Sequence, residues 1–202
     1  MNIDPAITKN SEFDKNGYLV VRDFIDPSIL RETPPKSRGI LHYHGKTIEE
    51  VKFNAKETQV NGSASRINYV PYRKIHKEIA LKLKDIIGCP VYTTYVFDRY
   101  YFSGQELKKH SDRDACEISI TLHISSDLNT EWPFYIENEH GDHKVNLTPG
   151  DAVIYKGCHY KHWRDVMPQI GDEPNYYHQV FFHYVLQDGY RAHVAFRDSV
   201  NS

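Results

Sequence analysis

The clearest pattern in the chain lies between Glu117 and Ile124. Ile118, Ile120, Leu122 and Ile124 alternate there with Glu117, Ser119, Thr121 and His123. Strict alternation marks a strand whose two faces meet different surroundings. Other short runs rich in β-branched and aromatic residues read as strands: Val91–Tyr101, Ala152–Tyr155, Lys161–Val166 and Tyr176–Val185. Phe134–Glu137 and Lys144–Leu147 flank Glu139-His140-Gly141-Asp142 and predict a hairpin. A different period runs upstream. Ile75, Ile79, Leu83 and Ile86 or Ile87 recur at three- and four-residue spacing with Lys and Glu between them. That predicts a helix over Pro71–Ile87, closed by Gly88 and stopped by Pro90, with its apolar face on the outside of a sheet.

The N-terminal part is less regular. Residues 1–16 are polar and read as a short helix or an arm, with a turn at Asp14-Lys15-Asn16-Gly17. Tyr18–Phe24 reads as a strand, and Asp26-Pro27-Ser28 opens a short helix that Thr33-Pro34-Pro35 ends. Residues 36–70 show little periodicity and are broken by Gly39, Gly45 and Asn61-Gly62. So long an irregular stretch is read as a lid or substrate-facing insertion, or else as a plain mobile loop. Residues 186–202 form a polar tail with some strand character in Ala192–Phe196. Helix first, then about eight short strands, predicts a mainly β fold. The expected form is a double-stranded β-helix (jelly roll) with flanking N-terminal helices, over a single domain spanning 1–202.

Composition narrows the setting. A formal net charge of -2 gives no basic field for nucleic acid. Apolar residues make up 40% of the chain and no run is long enough to span a bilayer. No targeting segment is read at the start, so a cytoplasmic protein is expected. Cys89, Cys116 and Cys158 have no paired spacing, which favours reduced thiols over a disulfide framework or a zinc ribbon. With 12 histidines, most cannot be metal ligands.

The candidate chemistry lies between His110 and His162. His110 and Asp112 are two apart, a spacing that puts both on one face of a strand. An imidazole and a carboxylate that share an ion need one further imidazole to make the ligand set of a non-haem iron(II) centre with open positions. His159 and His162 compete for that place. His162 is preferred, because Lys161-His162-Trp163-Arg164 reads as a returning strand and His159 as part of the loop before it. Trp163 is then expected on the outer face. Thr121 and His123 share a face with Ser119 and are candidates to line a barrel interior. Glu137, Glu139, His140, Asp142 and His143 are read as a solvated hairpin tip rather than a second metal site.

Three segments carry a resemblance. Arg99-Tyr100-Tyr101-Phe102-Ser103-Gly104-Gln105-Glu106-Leu107-Lys108-Lys109-His110-Ser111-Asp112 resembles the Tyr…Gly…His-x-Asp pattern of the iron(II)/2-oxoglutarate-dependent prolyl hydroxylase and phytanoyl-hydroxylase-like families. Phe13-Asp14-Lys15-Asn16-Gly17-Tyr18-Leu19-Val20-Val21 is similar to their N-terminal strand. Pro149-Gly150-Asp151-Ala152-Val153-Ile154-Tyr155, followed by His162, resembles the approach to their distal histidine. The resemblance implies iron(II) held by His110, Asp112 and His162, with 2-oxoglutarate and molecular oxygen as cosubstrates. It also implies Tyr101 at the cosubstrate, and it leaves room for ascorbate as an auxiliary reductant. The implied activity is a hydroxylase-type oxygenase that forms succinate while oxidising a C–H bond of a small molecule, an amino acid or a protein side chain.

The family pattern breaks at one point. The Arg or Lys that grips the far carboxylate of 2-oxoglutarate is expected downstream of the distal histidine, yet Asp172 stands ten residues past His162 and Tyr176–Val185 contains no Arg or Lys. Arg164, two residues after His162, is the first candidate, since a guanidinium suits a bidentate carboxylate. Arg99, Arg113 and His178 are the others, and Gln179 could donate without neutralising. Arg113 is expected to point away from Asp112 and to pair with Glu117 or Asp114. Two other classes stay open: a cupin-like metalloprotein with different chemistry, and a non-catalytic jelly-roll binding module.

Overall fold

A computed structural model describes residues 7–32, 34, 42–43, 46–47 and 59–198. Two antiparallel sheets carry the fold. The larger runs β1–β10–β7–β12–β5–β4, formed by Tyr18–Val21 (β1), Ala64–Ile67 (β4), Val91–Phe102 (β5), Ile118–Ser126 (β7), Ala152–Tyr155 (β10) and Tyr176–Leu186 (β12). The smaller runs β6–β11–β8–β9, formed by Leu107–His110 (β6), Phe134–Asn138 (β8), Gly141–Val145 (β9) and His162–Arg164 (β11). His42–Tyr43 (β2) and Lys46–Thr47 (β3) pair with each other. This is the expected mainly β jelly roll, with two short helices before the barrel strands reduced to one turn of 3-10 helix at Pro27–Ile29 and the six-residue Ser11–Asn16 (α1).

The faces of β7 explain the layering. All of Ile118–Ser125 is buried, yet only one face is apolar. Ile118, Ile120, Leu122 and Ile124 join Val180, Phe182 and Tyr184 of β12 in the main core. The helix Tyr72–Ile87 (α2) covers that face with Tyr72, Ile79, Leu83 and Ile87. Each such side chain removed from water contributes about 1.5–3 kcal/mol. Gly88 ends α2 in the left-handed region at φ 69° and donates to Lys84 O, as its position predicts. The opposite face of β7 carries Ser119, Thr121 and His123 into the barrel, level with His183, Phe181 and Gln179 of β12. A buried surface with that many polar groups is suited to a site rather than to a solid core.

Several boundaries differ from expectation. β1 stops at Val21 because Asp23 turns the chain at φ 48°. The hairpin is tighter than predicted: β8 and β9 pair from Phe134↔Val145 to Asn138↔Gly141, leaving Glu139-His140 as the whole loop. The Asp14–Gly17 turn is the end of α1, where Gly17 at φ 77° is the cap. Ala192–Phe196 is not strand. It forms a 3-10 turn at Ala192–Val194 leading into Ala195–Asp198 (α3). The insertion at 36–70 is only partly described, and the reading of it as a lid lies largely outside the described residues. Its last part is ordered as β4, an edge strand on β5 that no periodicity in 36–70 predicts.

Candidate metal centre

His110 ends β6, and His162 begins β11 directly opposite it in the register. Asp112 is not on the strand. It lies in the loop just past β6, where its N–H donates to Gly157 O at 2.8 Å. That loop, rather than strand alternation, brings the carboxylate round to the two rings. Asp112 Oδ1 is 3.5 Å from His110 Nε2 and 3.5 Å from His162 Nε2. The ring centroids are 4.4 Å apart, and the three donor atoms lie within 4.8 Å of one another. His159 sits in the turn after β10 and is not in this group.

The hydrogen bonds behind the rings fix which nitrogen faces inward. His110 Nδ1 lies 2.7 Å from Lys108 O, and His162 Nδ1 lies 3.1 Å from Tyr160 O. A carbonyl oxygen can only accept, so in the neutral rings each Nδ1 carries the proton. Both Nε2 lone pairs then converge on a carboxylate oxygen. Three acceptors meet with no proton shared among them, only the Gln59 amide N–H reaching His110 Nε2 from the side, an arrangement that a divalent cation satisfies. Burial would raise the Asp112 pKa, but whenever the two rings carry a proton on Nε2 their hydrogen bonds and charge hold it well below the usual carboxylate range. Gln59 is the sequence feature most easily overlooked. Its amide lies 2.8 Å from His110 Nε2 and accepts from Arg99 Nη2 at 2.8 Å. It belongs to the irregular insertion, where no periodicity could have singled it out.

The triad opens into a cavity of about 320 Å³ whose wall includes Arg99, Tyr95, Phe97, Phe181 and His183. Burial depresses the His183 pKa to about 4 and keeps the ring neutral at ordinary pH. Arg99 Nη1 donates to Tyr101 Oη at 3.0 Å. Arg164 does not line this cavity. It is buried behind it, with its guanidinium over Trp132 and Tyr177 at 4.5 and 4.8 Å. Arg164 Nε donates to Gln179 Oε1 at 3.1 Å and Nη1 to Trp132 O, while Nη2 and Gln179 Nε2 have no hydrogen-bond partner among the described residues. Gln179 is paired with Arg99 across β12 and β5, so the two arginines approach one level of the barrel from different strands.

Other candidates fall elsewhere. His178 points to the outer face, bonded to Asp98 Oδ2 at 3.1 Å and stacked on Tyr100 at 3.8 Å. His178 shares its face with Val180 and Phe182 of the main core, and Gln179, next along the strand, faces the interior. Arg113 lies over Tyr95 at the cavity wall rather than facing away. The acids expected to pair with it, Asp114 and Glu117, are bound by Arg191 at 2.8 and 3.5 Å. Trp163 lies on the outer face as expected, stacked on Tyr135 at 5.2 Å. The hairpin-tip acids and histidines form no three-ligand group among the described residues. Glu137 and Asp142 are paired with Lys109 instead.

No protein-family model and no curated protein matches the chain. Solved structures do. HygX from Streptomyces hygroscopicus, solved with nickel, 2-oxoglutarate and hygromycin B bound, superposes with a TM-score of 0.58 at 9% identity over 85% of this chain and 84% of that one. A prolyl-4-hydroxylase from Pseudomonas putida gives 0.56 at 13% identity over 85% and 95%. The viral collagen prolyl hydroxylase of Paramecium Bursaria Chlorella virus-1, in its 2OG complex, gives 0.52 at 13% identity over 84% and 98%. The chain has the jelly roll of the 2-oxoglutarate oxygenases. At these identities the likeness is one of fold. The triad sits where the two sheets meet, at the facing ends of β6 and β11 of the smaller sheet and in the loop after β6.

Proposed function

We propose that the protein is a non-haem iron(II)- and 2-oxoglutarate-dependent oxygenase of the hydroxylase type, with His110, Asp112 and His162 as metal ligands. The observation that carries this reading is the convergence of two inward Nε2 lone pairs and one carboxylate oxygen at 3.5 Å on the wall of a cavity. Two imidazoles and a carboxylate suit iron(II) and leave positions open. When bound, the metal and 2-oxoglutarate together would supply the oxidising chemistry, with oxygen as oxidant and succinate as coproduct.

The chain's own residues hold and shield the reactants. Lys108 O and Tyr160 O fix the two ligand rings. Phe97 and Phe181 give the cavity apolar walls, which strengthens each charge contact inside. We assign the far carboxylate of 2-oxoglutarate to the level of Gln179. Arg99 reaches it along the cavity wall with Tyr101 beside it, and Arg164 lies beneath, its Nη2 without a hydrogen-bond partner among the described residues. A buried guanidinium suits an incoming carboxylate. The substrate reading is a small molecule, an amino acid or a protein side chain; HygX and the two prolyl hydroxylases bind or act on different compounds and do not narrow it.

The test is anaerobic addition of iron(II) and 2-oxoglutarate to the metal-free protein. A weak visible charge-transfer band is expected, and Asp112→Ala should abolish both the band and succinate formation. Undiminished succinate formation in that variant would refute the ligand assignment. Iron binding without a cosubstrate band would favour the cupin-like alternative, and no iron binding the non-catalytic one.

A further inference from the structure

The two oxygens of Asp112 face different surroundings. Oδ1 looks toward the imidazoles, 3.5 Å from each Nε2. Oδ2 accepts from Ser119 Oγ at 3.1 Å. Ser119 Oγ lies 3.0 Å from His183 Nδ1. The serine proton has two acceptors within reach, Asp112 Oδ2 and, further off at 3.3 Å, Cys116 O. With the serine proton given to Asp112 Oδ2, the nearer carboxylate acceptor, Oγ accepts in turn from His183 Nδ1–H. That direction holds whether the His183 ring is neutral or charged. Ser119 is wholly buried and His183 nearly so. Gly157 closes the remaining side, since a Cβ there would stand 2.5 Å from Asp112 Oδ2 and 2.6 Å from Cys116 O.

We propose that Ser119, aligned by His183, is a positioning residue that keeps Asp112 a one-oxygen ligand. The inference rests on the metal reading above. A carboxylate free to swing could present both oxygens to the ion and occupy a position that a reactant needs. With Oδ2 held by a hydroxyl and walled by Gly157, only Oδ1 is offered. The same contact bears on Asp112, Cys116 and His183, whose donor atoms also lie within 4.8 Å of one another. A second ion there would have to take Oδ2 from Ser119.

Cobalt(II) titrated into the metal-free full-length protein, followed by its visible absorption, reads the site without turnover. One ion per chain is expected. Ser119→Ala should weaken binding roughly 10–100-fold, as loss of a group that orients a ligand does, and Ser119→Thr, which keeps the hydroxyl, should restore it. His183→Phe should weaken binding as well. The double variant should be no weaker than Ser119→Ala alone, because the histidine acts through the serine. Thermal unfolding of the metal-free variants separates a folding defect from a ligand defect, and Ser119→Cys replaces the alanine variant if that one does not fold. Wild-type affinity in a folded Ser119→Ala, additive losses in the double variant, or two ions bound by the wild type would each overturn the proposal while leaving the metal reading standing. A wild type that binds no cobalt would remove the metal reading itself and this inference with it.

Discussion

Gly157 shows how closely the centre is built. It has no side chain, yet its backbone oxygen holds the Asp112 N–H at 2.8 Å and its Cα faces the carboxylate. A methyl group there would meet Asp112 Oδ2, Cys116 O and Ser119 Oγ at 2.5–2.7 Å. Two of those atoms belong to fixed groups and cannot move aside cheaply. Gly157→Ala should therefore cost metal affinity roughly 10-fold or more, measured by cobalt titration, and an unchanged affinity would show that the loop relaxes freely. Asp151 does a different job from Asp112. Burial would raise its pKa, but the Thr148 N–H, Arg22, the Thr148 hydroxyl and the Asp23 N–H together hold it below the ordinary range. A depressed carboxylate stabilises the fold above its unfolded-state value, about 3.9, and that contribution is lost as pH falls through the folded-state value. Asp151→Asn should cost about 1.5–3 kcal/mol at neutral pH. The wild-type and variant stabilities should converge as pH drops below about 4. Urea unfolding across that range reads this directly, and parallel curves would contradict it.

At the scale of elements, the parts legible in the sequence are those where one periodicity spans many residues. β7, β10, β12 and α2 were readable because each puts an unbroken apolar face on the main core. His110 and His162 were readable because their spacing survives in a strand pair. The placement of Asp112 by a loop was not, because residue spacing gives no account of a turn that depends on Gly157, some forty-five positions on. His178's orientation follows from plain alternation, since it shares the outer face of β12 with Val180, Phe182 and Tyr184. β4 was missed for another reason. Its contribution is electrostatic rather than periodic: Arg66 bonds Asp98 through Nε at 3.0 Å and through Nη2, and reaches Glu32 at 2.8 Å. Arg66 and Asp98 are both almost wholly buried. Removing the cation leaves a buried carboxylate supported mainly by His178, so Arg66→Met should cost about 3–5 kcal/mol. The urea midpoint should fall while cobalt affinity stays near wild type, since this network lies on the outer face of the sheet. A matching fall in metal affinity would mean that β4 supports the centre through β5.

For the whole molecule, the two faces of the larger sheet divide the work. The face under α2 is apolar and supplies stability, and the interior face mixes apolar clusters with polar groups and leaves room for a site. That division has a cost: beside the apolar clusters that join the sheets, such as Phe134 and Ile136 with Val153 and Tyr155, the interior holds Ser119, Thr121, His123, Arg164 and Gln179. An ion bound by the ends of β6 and β11 and by the loop after β6 would tie those elements together only in the folded chain. Ligand binding restricted to the native state stabilises it by mass action, by about 2.7 kcal/mol at a concentration one hundred times Kd. Added cobalt(II) or manganese(II) should therefore raise the unfolding temperature in a concentration-dependent way, and a chelator should reverse the rise. Asp112→Ala should unfold at a temperature that no longer responds to the metal. If instead wild type and Asp112→Ala shift equally, the ion is stabilising the chain from some other place, and the three converging acceptors are not its site.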